Sequence, residues 1–433
     1  MTLSDLHRPP TTEELLDRFR PVLAEIAAGA VERESTRTLA HDAVALLKDA
    51  GFGALRVPQE YGGAGATLPQ SIRLLLELGE ADSNLVQALR AHFATVEGLL
   101  ASPDEVQRAK WFRRFAAGAL VGNATTERGN AQGRSSTRLT ARDGRYVLNG
   151  TKYYSTGSLY ADWVTVQAET DDGTSVRASV PSVAPGLELL DDWDGFGQRL
   201  TASGTTRLTD VEVLPDDVVP APRDREPSHL TPYVQLVLLV ALGGVARAAR
   251  RDVVAYVRAR KRAFAHGVGD SPARDPLVQE VVGRVSSAVF AVEAILDAAA
   301  REVERAADRT AAGELSEADA AELDTALSEA QIGVAELVLD VTTRLFEVGG
   351  ASAASESLRL DRHWRNARVL AQHNPLIYRA RAVGQQRLTG DHRSTAVFVG
   401  QAAHAAPPAG APSSPGAGAP TDQPISSTEE SRA

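Results

Sequence analysis

Residues 123–163, NATTERGNAQGRSSTRLTARDGRYVLNGTKYYSTGSLYADW, concentrate the groups in this chain that could do chemistry. A Thr-Thr-Glu turn, a Gly/Ser-rich polar loop, two hairpin signals (Asp143-Gly144 and Asn149-Gly150) and a run of hydroxyls and aromatics from Tyr153 to Ser158 fall within it. Short polar side chains, amides left accessible by glycine and flat aromatic faces suit a planar, hydrogen-bonding cofactor. Residues 191–208, DDWDGFGQRLTASGTTRL, add further aromatics, glycines and hydroxyls. Elsewhere, Leu85, Leu89, His92, Val96 and Leu99 share one helical face. His92 is therefore either a hydrogen-bonded core residue or a group aimed into a pocket. No His/Asp/Glu spacing suggests a metal site. There is no cysteine, which excludes thiolate ligands, disulfides and a Cys nucleophile and fits a reducing cytoplasm.

The elements that must position these residues fall into three textures. The N-terminal part is helical. Thr11 or Thr12 caps a helix with Leu15, Phe19, Val22 and Ile26 on one face. A second helix over 41–50 stops at Gly51. Residues 57–67, VPQEYGGAGAT, form a glycine-rich loop, and Thr67 with Pro69 starts another helix. A helix over 82–100 carries His92, and Ser102-Pro103-Asp104-Glu105 reads as a capping box for the next, with Trp111, Phe112 and Phe115. Strands over 145–148, 163–168, 176–180 and 205–213 make a small antiparallel β-domain. Helices over 231–264, 275–310 and 316–349 have the lengths of an antiparallel bundle. The expected organisation is α+β: a helical domain over 11–121, a β-domain over 122–222, a four-helix-bundle domain over 230–390 and a disordered tail over 401–433.

A chain of 433 residues with a net charge of −10 has length for a large buried pocket and lacks the basic stripe of a nucleic-acid partner. The longest candidate for a membrane span, 234–242, is far too short for one.

Helices, β-domain, helices, with these motifs in this order, resemble the acyl-CoA dehydrogenase superfamily over roughly residues 11–390. VPQEYGGAG resembles the family's first loop, TERGNAQG its flavin loop, and LNGTKYYSTGSLYADW its Asn-Gly-x-Lys-x-x-x-Thr segment. Dehydrogenases of the family abstract an α-proton with a glutamate. Here the C-terminal loop reads Gln372-His373-Asn374-Pro375, and the alternative position, YVQLVLLVALGG over 233–244, has no carboxylate. Without a proton acceptor that chemistry has no route. The remaining likeness is to the flavin-dependent monooxygenase branch. Its marks are Tyr153 to Gly157, the WDGFGQRLTASGTT run, Arg260-x-Arg262-x-Phe264 and RHWRNARVLAQHNP over 362–375.

The resemblance implies FMN, supplied reduced by a separate NAD(P)H:flavin reductase, with FAD as the alternative. It implies O2 and a sulfur- or nitrogen-containing small molecule as substrates, a flavin hydroperoxide as oxygen donor, and a homotetramer. Asn123, Thr125 and Thr126 would meet the pyrimidine edge of the ring, Tyr154 would stack on it, and Thr156 with Ser155 would bond its N5. Arg262, with Arg260 competing, would reach the phosphate; by itself an Arg-rich helix is a solvated face. His92 and His373 would donate to the reacting oxygen. A nitrososynthase-like amine oxygenase and an FAD-dependent acyl-CoA dehydrogenase are the alternatives.

Overall fold

The computed structural model describes residues 8–128, 135–142, 144–221, 227–268 and 271–391. The expected tail over 401–433, part of the TERGNAQG loop and Asp143 lie outside the described residues.

Helix starts follow local side-chain chemistry. α1 (Thr12–Thr36) opens at Thr11, whose hydroxyl accepts from the Glu14 amide while the Glu14 carboxylate accepts from the Thr11 amide. α2 (His41–Asp49) ends before Gly51, and α3 (Leu68–Ala81) repeats the reciprocal cap with Thr67 and Gln70. α4 (Ser83–Leu100) starts at Asp82, whose carboxylate accepts from the Asn84 amide. α5 (Glu105–Ala116) is capped by Asp104, which accepts from the Gln107 amide, rather than by Ser102. Ser102 instead accepts from the Asp104 amide and orients the true cap.

The C-terminal helices are α6 (Leu230–Ala259), α7 (Pro276–Ala311), α8 (Glu317–Arg344), α9 (Asp361–Ala371) and α10 (Leu376–Thr389). Three long helices and two short ones make up the part expected as a four-helix bundle over 230–390. α6 is the spine, since α3, α4, α7, α8 and α9 all pack against it. Its most apolar window has a mean hydropathy of 1.5 and is 89% buried, which makes it a core helix rather than a membrane span. The backbones of α3 and α6 nearly touch at Gly79 and Gly244, where a Cβ on Gly244 would lie 2.3 Å from the Gly79 carbonyl carbon. One apolar core thus runs through both helical parts of the chain.

Between them sits one sheet of β1 (Val121–Ala124), β2 (Arg138–Arg142), β3 (Arg145–Lys152), β4 (Trp163–Thr170), β5 (Ser175–Pro181), β6 (Leu187–Leu189), β7 (Thr206–Val213) and β8 (Val218–Pro220). The order is β6-β7-β3-β2-β4-β5-β8, with β1 also on β4. Most pairings are antiparallel, but β1 and the start of β2 run parallel to β4. The β2–β3 hairpin closes at the Arg142↔Arg145 pair, around the predicted Asp-Gly turn. Asn149-Gly150 is not a turn: it lies inside β3, at a register shift against β7. Glycine is needed there because a Cβ would fall 2.5 Å from Thr137 Oγ1.

Candidate active site

The first strand leads directly into the site. Asn123 stands half-buried on β1, and its carbonyl accepts from Ser158 Oγ at 3.0 Å. Thr125 and Thr126, also half-buried, follow, and the Thr126 carbonyl accepts from the Tyr153 amide at 2.8 Å. An internal lock holds this turn. Glu127 accepts from Lys152 Nζ at 2.6 Å, from the amides of Ser136 and Thr137, and from the hydroxyls of Ser135, Ser136 and Thr137. Partial burial opposes ionisation of Glu127. The Lys152 ammonium, the Ser136 amide and the hydroxyls outweigh it, so the carboxyl titrates well below the usual range. Lys152, 1% exposed, also donates to the Thr125 carbonyl. The pair therefore fixes the same backbone that presents the threonines.

The second wall is the segment after β3. Tyr154 takes a positive φ of 57°, is 40% exposed, and meets Trp193 edge-on at 6.0 Å. The Arg128 guanidinium lies 4.7 Å from the Tyr153 ring centre and 4.6 Å from that of Tyr154. Ser155 turns inward. At 2% exposed, its hydroxyl accepts from Thr206 Oγ1 at 2.7 Å and its amide donates to Gly204, which makes it a strut behind the wall. Thr156 is half-buried, and its hydroxyl joins Ser203 Oγ at 2.8 Å. Ser203 continues to Thr201 at 2.7 Å, and Thr201 donates to the Gln198 carbonyl at 2.9 Å, giving a chain of three hydroxyls. Gly157 seats the segment on α4, since a Cβ there would lie 2.0 Å from the Ala88 carbonyl. The 191–208 run is itself pinned by the Asn84 side chain, which accepts from the Leu200 amide, and by Asn366 of α9, which accepts from Gln198.

The two histidines part company. His92 is fully buried, with Nε2 donating to the Gly53 carbonyl at 2.8 Å and Nδ1 accepting from the Val121 amide at 3.4 Å. Burial lowers its pKa to about 4. A ring whose two nitrogens both serve backbone groups has no donor left for a reacting oxygen. Through these two contacts the ring ties α4 to β1 and to the loop at Gly53. His373 is exposed at the end of α9, and its Nε2 accepts from Arg90 Nη2 at 2.7 Å, which leaves the ring proton on Nδ1. Although part of the residue reaches the surface, the ring itself is withdrawn from water, and this desolvation, followed by the Arg90 guanidinium, lowers its pKa below the ordinary imidazole range. Asn374 donates to Gln235 of α6 at 2.6 Å.

Arg260 to Phe264 are not helical. α6 stops at Ala259 and the segment turns extended, with Arg260 donating to the Val348 carbonyl and lying 4.3 Å from the Phe264 ring centre. Arg260 is thereby occupied, whereas Arg262 is exposed. Among the described residues, no hydrogen bond or ion pair joins this segment to the walls at Thr125 and Tyr154. Sequence reasoning gave no role to Arg90, Arg128, Glu127, Trp193 or Ser203. Arg90 had a readable signal, as the one charge in the otherwise uncharged run from Ser83 to Val96.

Residues 9–119, 124–211 and 236–376 match the N-terminal, middle and C-terminal domains of acyl-CoA dehydrogenase. The chain belongs to the acyl-CoA dehydrogenase family. Within it, the chain is 30% identical to a dibenzothiophene monooxygenase of Mycolicibacterium goodii, over 82% of this chain and 88% of that protein. It is also 30% identical to a probable FMNH2-dependent monooxygenase, SfnC, of Pseudomonas putida, over 85% and 93%. The FMN-bound TdsC structure from Paenibacillus sp. A11-2 superposes with a TM-score of 0.80 at 28% identity, covering 88% and 98%. The methanesulfinate monooxygenase MsuC of Pseudomonas fluorescens gives 0.78 at 27%, covering 87% and 97%. This acyl-CoA dehydrogenase family member is thus a flavin-dependent monooxygenase.

The residues present fit a flavin. Half-buried Asn123, Thr125 and Thr126 are bridged at Thr126 and Tyr153 to a segment bearing an exposed aromatic at Tyr154 and a half-buried hydroxyl at Thr156. Where a family dehydrogenase would place its carboxylate stand His373 and Asn374, with Gln235 opposite.

Proposed function

We propose that the chain is the oxygenase of a two-component system that oxygenates a small sulfur compound, takes reduced FMN from a separate flavin reductase, and works as a cytoplasmic homotetramer. The observation that carries the reading is the Arg90–His373–Asn374–Gln235 group, which offers donors and no proton-abstracting carboxylate at the dehydrogenase base position. The names of the monooxygenase relatives support FMN and a sulfur-centred substrate. Bound reduced FMN would activate O2 and supply the transferred oxygen atom.

The chain's own residues do the rest. Asn123, Thr125 and Thr126 hold the pyrimidine edge, with Glu127 and Lys152 fixing their backbone. Tyr154 covers the ring, oriented by Trp193 and Arg128. Thr156, polarised by Ser203, keeps a proton at the central ring nitrogen. His373, neutral with its proton on Nδ1, donates to the departing oxygen. Arg262 meets the phosphate, across the gap from the ring site or from a second copy of the chain. His92 and Ser155 position these groups without touching the reacting atoms.

The test supplies the purified chain with a flavin reductase, NADPH, FMN and 18O2, and offers dibenzothiophene and methanesulfinate. One labelled oxygen in the product supports the reading. Anaerobic bleaching of bound oxidised flavin by an acyl-CoA would overturn it in favour of a dehydrogenase.

A further inference from the structure

Arg90 is a cation without an anion. It sits half-buried on α4, and its Nη1 is enclosed with no hydrogen-bond partner, while Nη2 is spent on a neutral imidazole. No acidic side chain lies within ion-pair distance of it among the described residues. Arg56 and Arg247, by contrast, pair with Glu97 and Glu77. Withdrawal from water lowers the Arg90 pKa only to about 10, so the charge stays at neutral pH. An enclosed guanidinium with an idle donor is costly unless something fills it.

A second group points to the same place. Gln87, 6% exposed and one turn before Arg90 on the same face, also has an enclosed and unpartnered amide oxygen, Oε1. An amide turned end for end presents its NH2 there. The turn between them carries Ala88, the residue on which Gly157 of the Tyr154–Ser158 segment rests. Arg379 of α10 adds a further positive field at His373, tempered by Asp324. Within one helical turn of the candidate flavin wall, the protein thus assembles a guanidinium donor, an amide and an imidazole with net positive charge.

We propose that Arg90 and Gln87 bind the anionic head of the substrate, and that this substrate is a small organosulfur oxyanion of the sulfinate class. The inference rests on the oxygenase reading and deepens it. A planar guanidinium has the fork geometry for two oxygens on one sulfur, and Arg90 offers its second nitrogen while the first stays on His373. An uncharged thioether or thiophene would leave Arg90 Nη1 as orphaned as it is now.

The test is calorimetric binding to the full chain loaded with oxidised FMN, which reports without turnover. The probes are methanesulfinate and its uncharged relative dimethyl sulfone. The wild-type chain is expected to bind the sulfinate at least tenfold more tightly than the sulfone. Arg90→Met should weaken sulfinate binding by thirtyfold or more, Arg90→Lys by three- to tenfold, and neither should move sulfone binding or FMN affinity beyond twofold. Equal affinity of the wild type for both probes overturns the proposal. So does unchanged sulfinate binding in Arg90→Met, or a parallel loss of FMN, which would make the cofactor the occupant. If Arg90→Met does not fold, Arg90→Lys decides between the same outcomes. Arg90-dependent sulfinate binding without any 18O incorporation would sustain this site and sink the oxygenase reading instead.

Discussion

His92→Gln separates a strut from a catalyst. Glutamine reaches about as far as histidine and carries one donor and one acceptor, so it can satisfy both the Gly53 carbonyl and the Val121 amide. It cannot titrate. In the wild type, burial depresses the ring pKa from 6.5 to about 4. A histidine lowered in the folded state adds stability that is fully present above the unfolded value and is lost as pH falls towards the folded one. The window is therefore pH 6.5 down to about 4. At full development the shift amounts to ~3.4 kcal/mol, at about 1.4 kcal/mol per unit. Between pH 8 and pH 5 the linkage relation gives a loss of about 2 kcal/mol from this one ring. Urea unfolding by tryptophan fluorescence at those two pH values, at fixed protein concentration, measures it. His92→Gln should flatten the acid loss by about 2 kcal/mol and retain FMN binding and product formation. His363, lowered by burial in the same direction, to about 4, keeps its own share of the acid sensitivity in both proteins. An unaltered pH dependence would refute the burial argument. A stable, FMN-binding His92→Gln protein that made no product would refute the strut assignment.

Lys152→Met leaves Glu127 charged and nearly enclosed, and breaking such a pair costs about 3–5 kcal/mol; denaturant melts should show it, with FMN affinity falling as the Thr125–Thr126 turn loosens. Thr156→Val removes the head of the hydroxyl chain while keeping shape, so product per NADPH consumed should drop about tenfold or more, with hydrogen peroxide as the balance and FMN affinity nearly unchanged. Equal coupling would show that the Thr156–Ser203 link has no part in oxygen transfer. His373→Ala should lower the oxygenation rate by about a hundredfold at unchanged FMN affinity; unchanged product yield removes His373 from the mechanism.

What the sequence revealed depended on how local the physics was. Caps at Thr11 and Thr67 need only side chains three residues apart, and they formed as expected. Asp143-Gly144 and Asn149-Gly150 carry nearly the same signal, yet only the first ends a strand. The second is overruled by Leu208 of β7, 58 residues later, and by Thr137, 13 residues earlier in the chain. Extending α6 to Phe264 failed for a similar reason: Arg260 finds the Val348 carbonyl, and the chain leaves the helix at that point. The stripe that includes His92 located the ring correctly but could not say what its nitrogens meet, because Gly53 and Val121 come from separate elements. Arg90 went unassigned since its significance lies in a missing carboxylate, and a missing partner is visible only once every neighbour is in place.

The near-contact of Gly79 with Gly244 decides how this scaffold can change its substrate range. With no side chain between α3 and α6 at that crossing, a side chain added at either glycine would collide with the other helix's backbone, so the two helices are held at one spacing there. α4 and the Asn374–Gln235 latch both rest on that same rigid rod. New shapes must therefore be carved from the side chains α4 presents, Gln87 and Arg90 foremost, while the distance between the walls stays constant. Selectivity in this protein is a property of a few replaceable teeth on a jaw of fixed gape.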